Sequence, residues 1–207
     1  MIPYRTAKRA LDIAGSAIGL FIFSPVMLWA AIRIMREMRA PAIFRQTRAG
    51  MNGKPFSICK FRSMTDARDE AGKLKNDSER LTPFGKWLRS TSIDELPQLW
   101  NVLKGDMSLV GPRPLLMDYV RLYSAPQRVR LDAPPGMTGW AQINGRNALS
   151  WPEKFAMDAW YVKHASMALD LKIIFLTIKK TLVREGISSP EEVTMPRFTG
   201  ENGRQSG

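Results

Sequence analysis

Asp94 and Glu95 are adjacent carboxylates inside STSIDELPQLWNVLKGDMSLVGPRP (residues 90–114), where an arginine framed by two prolines follows them. The chain has one cysteine, Cys59, and one histidine, His164. An internal disulfide and a paired-cysteine zinc site are therefore excluded, and serine–histidine chemistry would rest on a single imidazole in KHAS, which reads better as a helix-boundary residue. Chemistry falls to carboxylates, lysines, arginines and tyrosines. A carboxylate can attack phosphorus and form an acyl phosphate. It needs a cation to shield its repulsion from a diphosphate, and Mg²⁺ suits hard oxygen ligands such as Asp94 and Glu95. Neighbouring residues on a helix point about 100° apart, so the two acids are expected to differ in role, one as nucleophile and one as metal or proton partner.

Phosphate oxygens would also need fixed cations. Gly111-Pro112-Arg113-Pro114 stiffens the backbone around Arg113 and limits the entropy lost when its guanidinium grips a phosphate. Lys60 and Arg62 alternate along a strand-like run and are expected to share a face. Arg89 precedes Asp94 by five residues, and Arg146 stands in the glycine- and asparagine-framed run NGRN. Each of these taken alone reads as a solvated surface charge. The acids have a plain alternative too, because Ser92 to Glu95 has the spacing of a capping box and a helix dipole favours acids in its first turn. With Asp94 itself as the cap, Pro97 falls at the third helical position, where no internal donor is lost. Capping explains one acid and leaves its neighbour as decoration; both readings stand on the residues alone.

These groups must be held by the surrounding elements. Ile13 to Ile32 is 20 residues without a charge, about the length that crosses a bilayer, and Ser24–Pro25 interrupts it. Proline removes a backbone donor, so the helix is expected to bend or break there, with the Ser24 hydroxyl bonding back along the helix. Arg5, Lys8 and Arg9 precede the segment and Arg33, Arg36 and Arg39 follow it. Basic residues at both ends suit a re-entrant hairpin that returns to one anionic lipid face; a signal anchor with the remainder translocated is the alternative. The net charge of +12 is concentrated here: residues 1–64 carry 11 basic against two acidic residues, and residues 65–207 carry 20 against 17. Such a stripe could serve lipid, a diphosphate or nucleic acid, and its apolar neighbour favours lipid over nucleic acid.

Further along, 42–46 and 56–62 alternate like strands around Asn52–Gly53, which predicts a β-hairpin. Residues 65–80 read as a solvated loop, 93–103 as a helix ended by Lys104–Gly105, and 115–123 as a second short helix. PPGMTGWAQINGRN (134–147) is a long loop of the kind that carries function. Two helices are expected at 151–163 and 166–184, the second apolar along Met167, Leu171, Ile174, Phe175, Ile178 and Leu182. The fold class expected is α+β: a re-entrant membrane helix hairpin with basic flanks over 1–39, a compact, mainly helical catalytic domain with a small β-hairpin over 40–187, and a polar, frayed tail over 188–207.

Ser24–Pro25, KFRSM (60–64), DELPQLWNVLKGDMSLVGPRP (94–114), PGMTGWAQINGRN (135–147) and Leu169–Asp170 together resemble the bacterial sugar-transferase family, the small monotopic polyprenyl-phosphate phosphoglycosyl transferases. Within it, the run 144–151 looks closest to the bacillosamine-type transferase of protein N-glycosylation. The resemblance implies that Asp94 receives the phosphosugar of a UDP-sugar and releases UMP, that Glu95 assists, and that Mg²⁺ binds at the pair. Undecaprenyl phosphate then takes the phosphosugar in a ping-pong reaction. It also implies a domain on the cytoplasmic face of the bacterial inner membrane, with interfacial helices such as Trp151–Tyr161. Pro134 and Ala49 depart from the family pattern without touching the acids. Asp158 and Asp170 match family positions but are left outside the catalytic set. A phosphatidyl-type alcohol transferase would need several spaced aspartates on paired helices, which this chain lacks. A non-catalytic basic membrane-surface module explains the charge but not the acid pair beside a framed arginine. Oligomeric state and donor sugar are open.

Overall fold

The computed structural model describes residues 3–145, 149–183 and 197–200. The chain enters through one long helix, α1 (Tyr4–Met38), and then forms a hairpin of β1 (Ile43–Ala49) and β2 (Pro55–Phe61). Short helices α2 (Asp77–Arg80), α3 (Pro83–Ser90) and α4 (Gln98–Lys104) follow, with a 3-10 turn over Ile93–Glu95 between the last two. Strand β3 (Ser108–Val110), α5 (Met117–Val120) and α6 (Ala125–Arg128) come next. The described chain then runs through β4 (Gly136–Thr138), α7 (Trp140–Asn144), α8 (Trp151–His164) and α9 (Met167–Val183). β1 and β2 are antiparallel, with Phe44 opposite Lys60 and Arg48 opposite Phe56, while β3 and β4 are parallel. Mixed helix and sheet with a small hairpin is what the hydropathy pattern predicts.

α1 is long and apolar enough to cross a membrane, and its apolar middle faces outward. Phe21 is 82% exposed. An apolar face of that length left in water would be untenable, so α1 associates the protein with a membrane. Of the bend or break expected at Ser24–Pro25, a break does not occur: the helix is continuous from Tyr4 to Met38 with Pro25 inside it. Proline strips the Phe21 carbonyl of its usual donor four residues on, and the Ser24 hydroxyl donates to that same carbonyl at 2.7 Å. The adjacent serine therefore repairs the bond that proline deletes, which matters most where no water can do so.

Both halves of α1 dock on the rest of the protein. Gly15 and Gly19 let the backbone approach Leu109 and Leu99; a Cβ at residue 15 would lie 2.7 Å from Leu109 Cδ1. Further along, Ala30 and Ile34 are fully buried with Ala42, Phe61, Phe84 and Leu88. Two of the basic flank residues assigned to lipid by sequence are used internally. Lys8 is buried, donating to the Val110 carbonyl at 2.9 Å and to Asp170 at 2.8 Å. Arg9 forks onto the carbonyls of Val102 and Leu103, both at 2.7 Å, filling acceptors that the end of α4 leaves open. Asp12 accepts from Ser108 Oγ and from the Leu109 amide.

Two other expectations change. Trp151, Phe155 and Tyr161 of α8 turn inward instead of lying at headgroup depth: Phe155 and Tyr161 are buried and Trp151 stacks on Phe155. On α9 the buried positions are Asp170 and Ile173, whereas Leu171, Phe175 and Ile178 face out. An apolar period marks one face but not which solvent that face meets. In the tail, Phe198 is buried against Tyr119 and Phe155, its amide donating to the Tyr119 hydroxyl at 3.1 Å. The remainder of the tail expected as frayed lies outside the described residues.

Candidate active site

The acids do not sit in the first turn of a helix spanning 93–103. Pro97 divides that stretch, so Asp94 and Glu95 occupy the 3-10 turn and α4 begins at Gln98. Ser92 enters the turn in the left-handed region at φ 57°, which is strained for a residue with a side chain, and its hydroxyl caps nothing. The capping box predicted from spacing is therefore absent. With it goes the structural explanation of the acid pair.

The two carboxylates have different surroundings. Asp94 is 8% exposed, and its carboxylate makes no hydrogen bond among the described residues. Burial, followed by the neighbouring Glu95 charge, pushes its pKa up to about 6, against the opposing pull of Lys60, Arg89 and Arg113. Glu95 Oε1 accepts from Lys60 Nζ at 2.6 Å and from Arg113 Nη2 at 2.7 Å. Burial favours the neutral acid there as well, but Arg113 and then Lys60 outweigh it and hold Glu95 well below the usual carboxylate range. One acid is thus open and basic, and the other is a fixed anion that holds two cations in place.

Each partner arrives on a different element. The hairpin register puts Arg48, Ile58 and Lys60 on one face of the β1–β2 ribbon. Arg89 closes α3, its Nε donating to Ser63 Oγ at 2.9 Å. Arg113 lies in the Gly111–Pro114 turn after β3, where any Cβ on Gly111, Gly136 or Gly139 would collide with backbone of the facing segment. The GPRP and PGMTG motifs thus depend on each other through backbone contact. Arg130 secures the same turn by donating to the Arg113 carbonyl at 2.6 Å. It is itself buried in an ion pair with Asp158 at 2.9 Å and a hydrogen bond from Nη1 to the Tyr123 hydroxyl at 3.0 Å.

The structure thus brings Lys60, Arg89 and Arg113 around Asp94 and Glu95 and does not bring Arg62 to them. β2 ends at Phe61, and Arg62 bonds the Pro41 carbonyl and Asp66 Oδ2 instead. Arg146 lies outside the described residues. Asp170 is a buried acceptor for Lys8, Tyr4 and Tyr161, which is a structural role for that acid. Sequence reasoning missed Arg48 and Gln98, which line the cleft beside Lys60 and Arg113, and it missed Arg130. Gln98 stands four residues after Asp94 within the central motif, and that proximity was the available signal.

For a hard divalent cation, Asp94 offers an open carboxylate, while one oxygen of Glu95 is already taken by two cations. No group of three or more histidine, cysteine or acidic ligands occurs among the described residues. The residues fit a Mg²⁺ ion that draws its other ligands from water and substrate phosphate, not a site built wholly of protein.

Comparison with known proteins shows the family. The family model described as bacterial sugar transferase matches residues 3–184. An uncharacterised sugar transferase of Bacillus subtilis, EpsL, is 53% identical over 193 residues, covering 93% of this chain and 96% of that protein. The undecaprenyl-phosphate galactose phosphotransferase of Salmonella typhimurium is 42% identical over 200 residues, covering 88% of this chain but 42% of that protein. The UDP-glucose:undecaprenyl-phosphate glucose-1-phosphate transferase of Caulobacter vibrioides is 42% identical over 188 residues, covering 86% of this chain and 70% of its own. The chain therefore spans less than half the length of some relatives and nearly all of another. The match runs from the start of α1 to the end of α9 and takes in every element that positions Asp94, and on that ground the chain belongs to the bacterial sugar transferase family.

Proposed function

We propose that this protein transfers a sugar phosphate from a UDP-sugar to undecaprenyl phosphate and releases UMP, through a covalent intermediate on Asp94. The observation that carries the reading is the contrast between the two acids: an unbonded, buried Asp94 with a raised pKa beside a Glu95 locked to Lys60 and Arg113. An Asp94 oxygen attacks the sugar-bearing phosphorus, the bond from that phosphorus to the bridging oxygen breaks, and UMP leaves with the electron pair. A phosphate oxygen of undecaprenyl phosphate then attacks the same phosphorus and the Asp94 carboxylate leaves. Lys60, Arg89 and Arg113 stabilise the phosphate charge as it redistributes, and Glu95 holds two of them in position before substrate arrives. A bound Mg²⁺, held by Asp94 with the second oxygen of Glu95, would supply charge neutralisation of the diphosphate.

The lipid acceptor accounts for the membrane helix. Basic residues at both ends of α1, and the docking of both its halves on one domain, support a re-entrant helix that bends at Pro25 while staying continuous, so that its ends share the cytoplasmic face. Cysteines introduced by Arg5→Cys and Arg39→Cys should react with an impermeant reagent from the same side. Labelling from opposite sides would make α1 a spanning anchor. The chemistry is tested by incubating detergent-solubilised protein with Mg²⁺ and a panel of UDP-sugars in the absence of acceptor. The intact mass should rise by one sugar phosphate in wild type and not in Asp94→Asn, and UMP release without that adduct would refute the covalent step.

A further inference from the structure

The cleft beside Glu95 carries more positive charge than the acid beside it can neutralise. Lys60 and Arg113 both bond the single oxygen Glu95 Oε1, and Arg48 lines the same cleft with no carboxylate partner among the described residues. Its Nη2 donates to Gln46 Oε1 at 2.6 Å, but its Nε is buried with no acceptor among them. Gln98, 2% exposed at the cleft wall, likewise buries its Nε2 without an acceptor. Folded proteins rarely bury such donors unpaired, because a hydrogen bond given up to water is then not replaced. Two orphaned donors in one cleft with surplus positive charge are the complement of an oxyanion.

β1 places Arg48 there. The end of β1 bridges the segment after the proline-framed turn, with the Ala49 amide donating to the Leu115 carbonyl at 3.0 Å, and this sets Arg48 alongside Arg113. Burial, then Arg113, lowers the pKa of Arg48, against the opposing pull of Tyr119 and Glu95.

We propose that Arg48 and Gln98, with Arg113, form a phosphate-binding subsite next to Glu95 that receives the phosphate opposite Asp94. This rests on the transferase reading. In-line displacement places leaving group and nucleophile on opposite sides of phosphorus, and Asp94 is the nucleophile of the first step and the leaving group of the second. One subsite therefore faces Asp94 across the phosphorus in both steps. It takes the phosphate of departing UMP first and that of undecaprenyl phosphate second.

The test uses full-length protein in detergent carrying Asp94→Asn, which blocks chemistry, and measures affinity for UMP, uridine and geranyl phosphate. Adding Arg48→Met should weaken UMP and geranyl phosphate about tenfold each and leave uridine unchanged, since a charge-assisted bond to phosphate is lost. Arg48→Lys should recover part of the loss, and Gln98→Glu, close in shape but anionic, should weaken both phosphates. Weakening confined to UMP assigns the subsite to the leaving nucleotide, and weakening confined to geranyl phosphate assigns it to the acceptor. Unchanged affinity for both phosphates in Arg48→Met and Gln98→Glu, with unfolding temperatures preserved, overturns the subsite while the transferase reading survives. Binding of neither phosphate when the cleft is intact overturns both.

Discussion

Replacing Asp94 by Asn should abolish turnover and at the same time stabilise the protein. Asp94 is 8% exposed, and its pKa stands near 6 against an ordinary 3.8, so the folded state disfavours its ionised form even after Lys60, Arg89 and Arg113 have exerted their pull. A rise of about two pKa units corresponds to about 3 kcal/mol of stability lost by pH 8, when Asp94 is ionised in both folded and unfolded chains. The sign follows from a raised carboxyl pKa: the penalty is absent below the unfolded value of 3.8, grows as pH rises, and is complete above about 6. Asn matches the neutral acid in shape and carries no such penalty. Thermal unfolding in detergent, followed by tryptophan fluorescence, should show Asp94→Asn melting about 5–10 °C above wild type at pH 8. At pH 5 the advantage should shrink to about half, because Asp94 is then mostly protonated in the folded protein but still ionised in the unfolded chain. An Asn variant that is less stable than wild type at pH 8, or an advantage that does not narrow toward pH 5, would show that the three cations outweigh burial and refute the basic-nucleophile argument.

Formation of the sugar-phosphate adduct should fall about tenfold per pH unit once Asp94 takes up its proton, at a pH that Mg²⁺ held by Asp94 would move below 6, which quenched-flow mass measurement would read; no acid limb at any Mg²⁺ concentration would contradict it. Asp158→Ala leaves Arg130 charged and buried without its acid, and should cost about 3–5 kcal/mol in urea unfolding. The milder Tyr123→Phe, which removes one partner of Arg130, should leave donor KM near wild type; a KM rise as large as that from Arg113→Ala would make Tyr123 part of the binding machinery. Ser24→Ala should weaken α1 by about 1–2 kcal/mol by stranding the Phe21 carbonyl in hydrocarbon, and adding Pro25→Ala should restore it, with hydrogen exchange at residues 24–29 as the readout.

Legibility in the sequence followed the range of the interaction. The β-hairpin, the long apolar segment and the grouping of Lys60, Arg89 and Arg113 near the acids were readable because turn residues, hydropathy and framed motifs signal locally. Ser24–Pro25 was read as a bend or break because proline's lost bond is a local fact. The hydroxyl one residue earlier that compensates it was noted, but its strength depends on the lipid environment. Arg62 was misplaced because alternation places a residue on a face only while the strand lasts, and β2 stops one residue short. The inward aromatics of α8 reversed expectation because periodicity identifies faces, and only tertiary packing decides whether protein or lipid meets them. Arg130, Arg48 and Gln98 carried little signal, since their partners lie at long sequence separation or are not protein atoms at all.

The internal use of Lys8, Arg9 and Asp12 bears on mechanism as well as on folding. An apolar helix in a membrane gains little from apolar contact with a domain it can exchange for lipid, so hydrophobic packing alone would leave α1 free to slide or tilt. Polar bonds do not trade with lipid in the same way. Lys8 to Asp170 and the Val110 carbonyl, Arg9 to the end of α4, and Asp12 to Ser108 and Leu109 tie α1 to the β3 and α4 segments on either side of the turn that precedes Arg113. β3 leads directly into the Arg113 turn, and α4 follows the Asp94 turn with only Leu96 and Pro97 between. On the proposed function, the depth of α1 in the bilayer therefore sets the height of Asp94 and the cations around it above the membrane surface. An acceptor whose phosphate lies at a fixed depth requires that coupling, and it explains why three ionisable groups are kept at the start of an otherwise apolar helix.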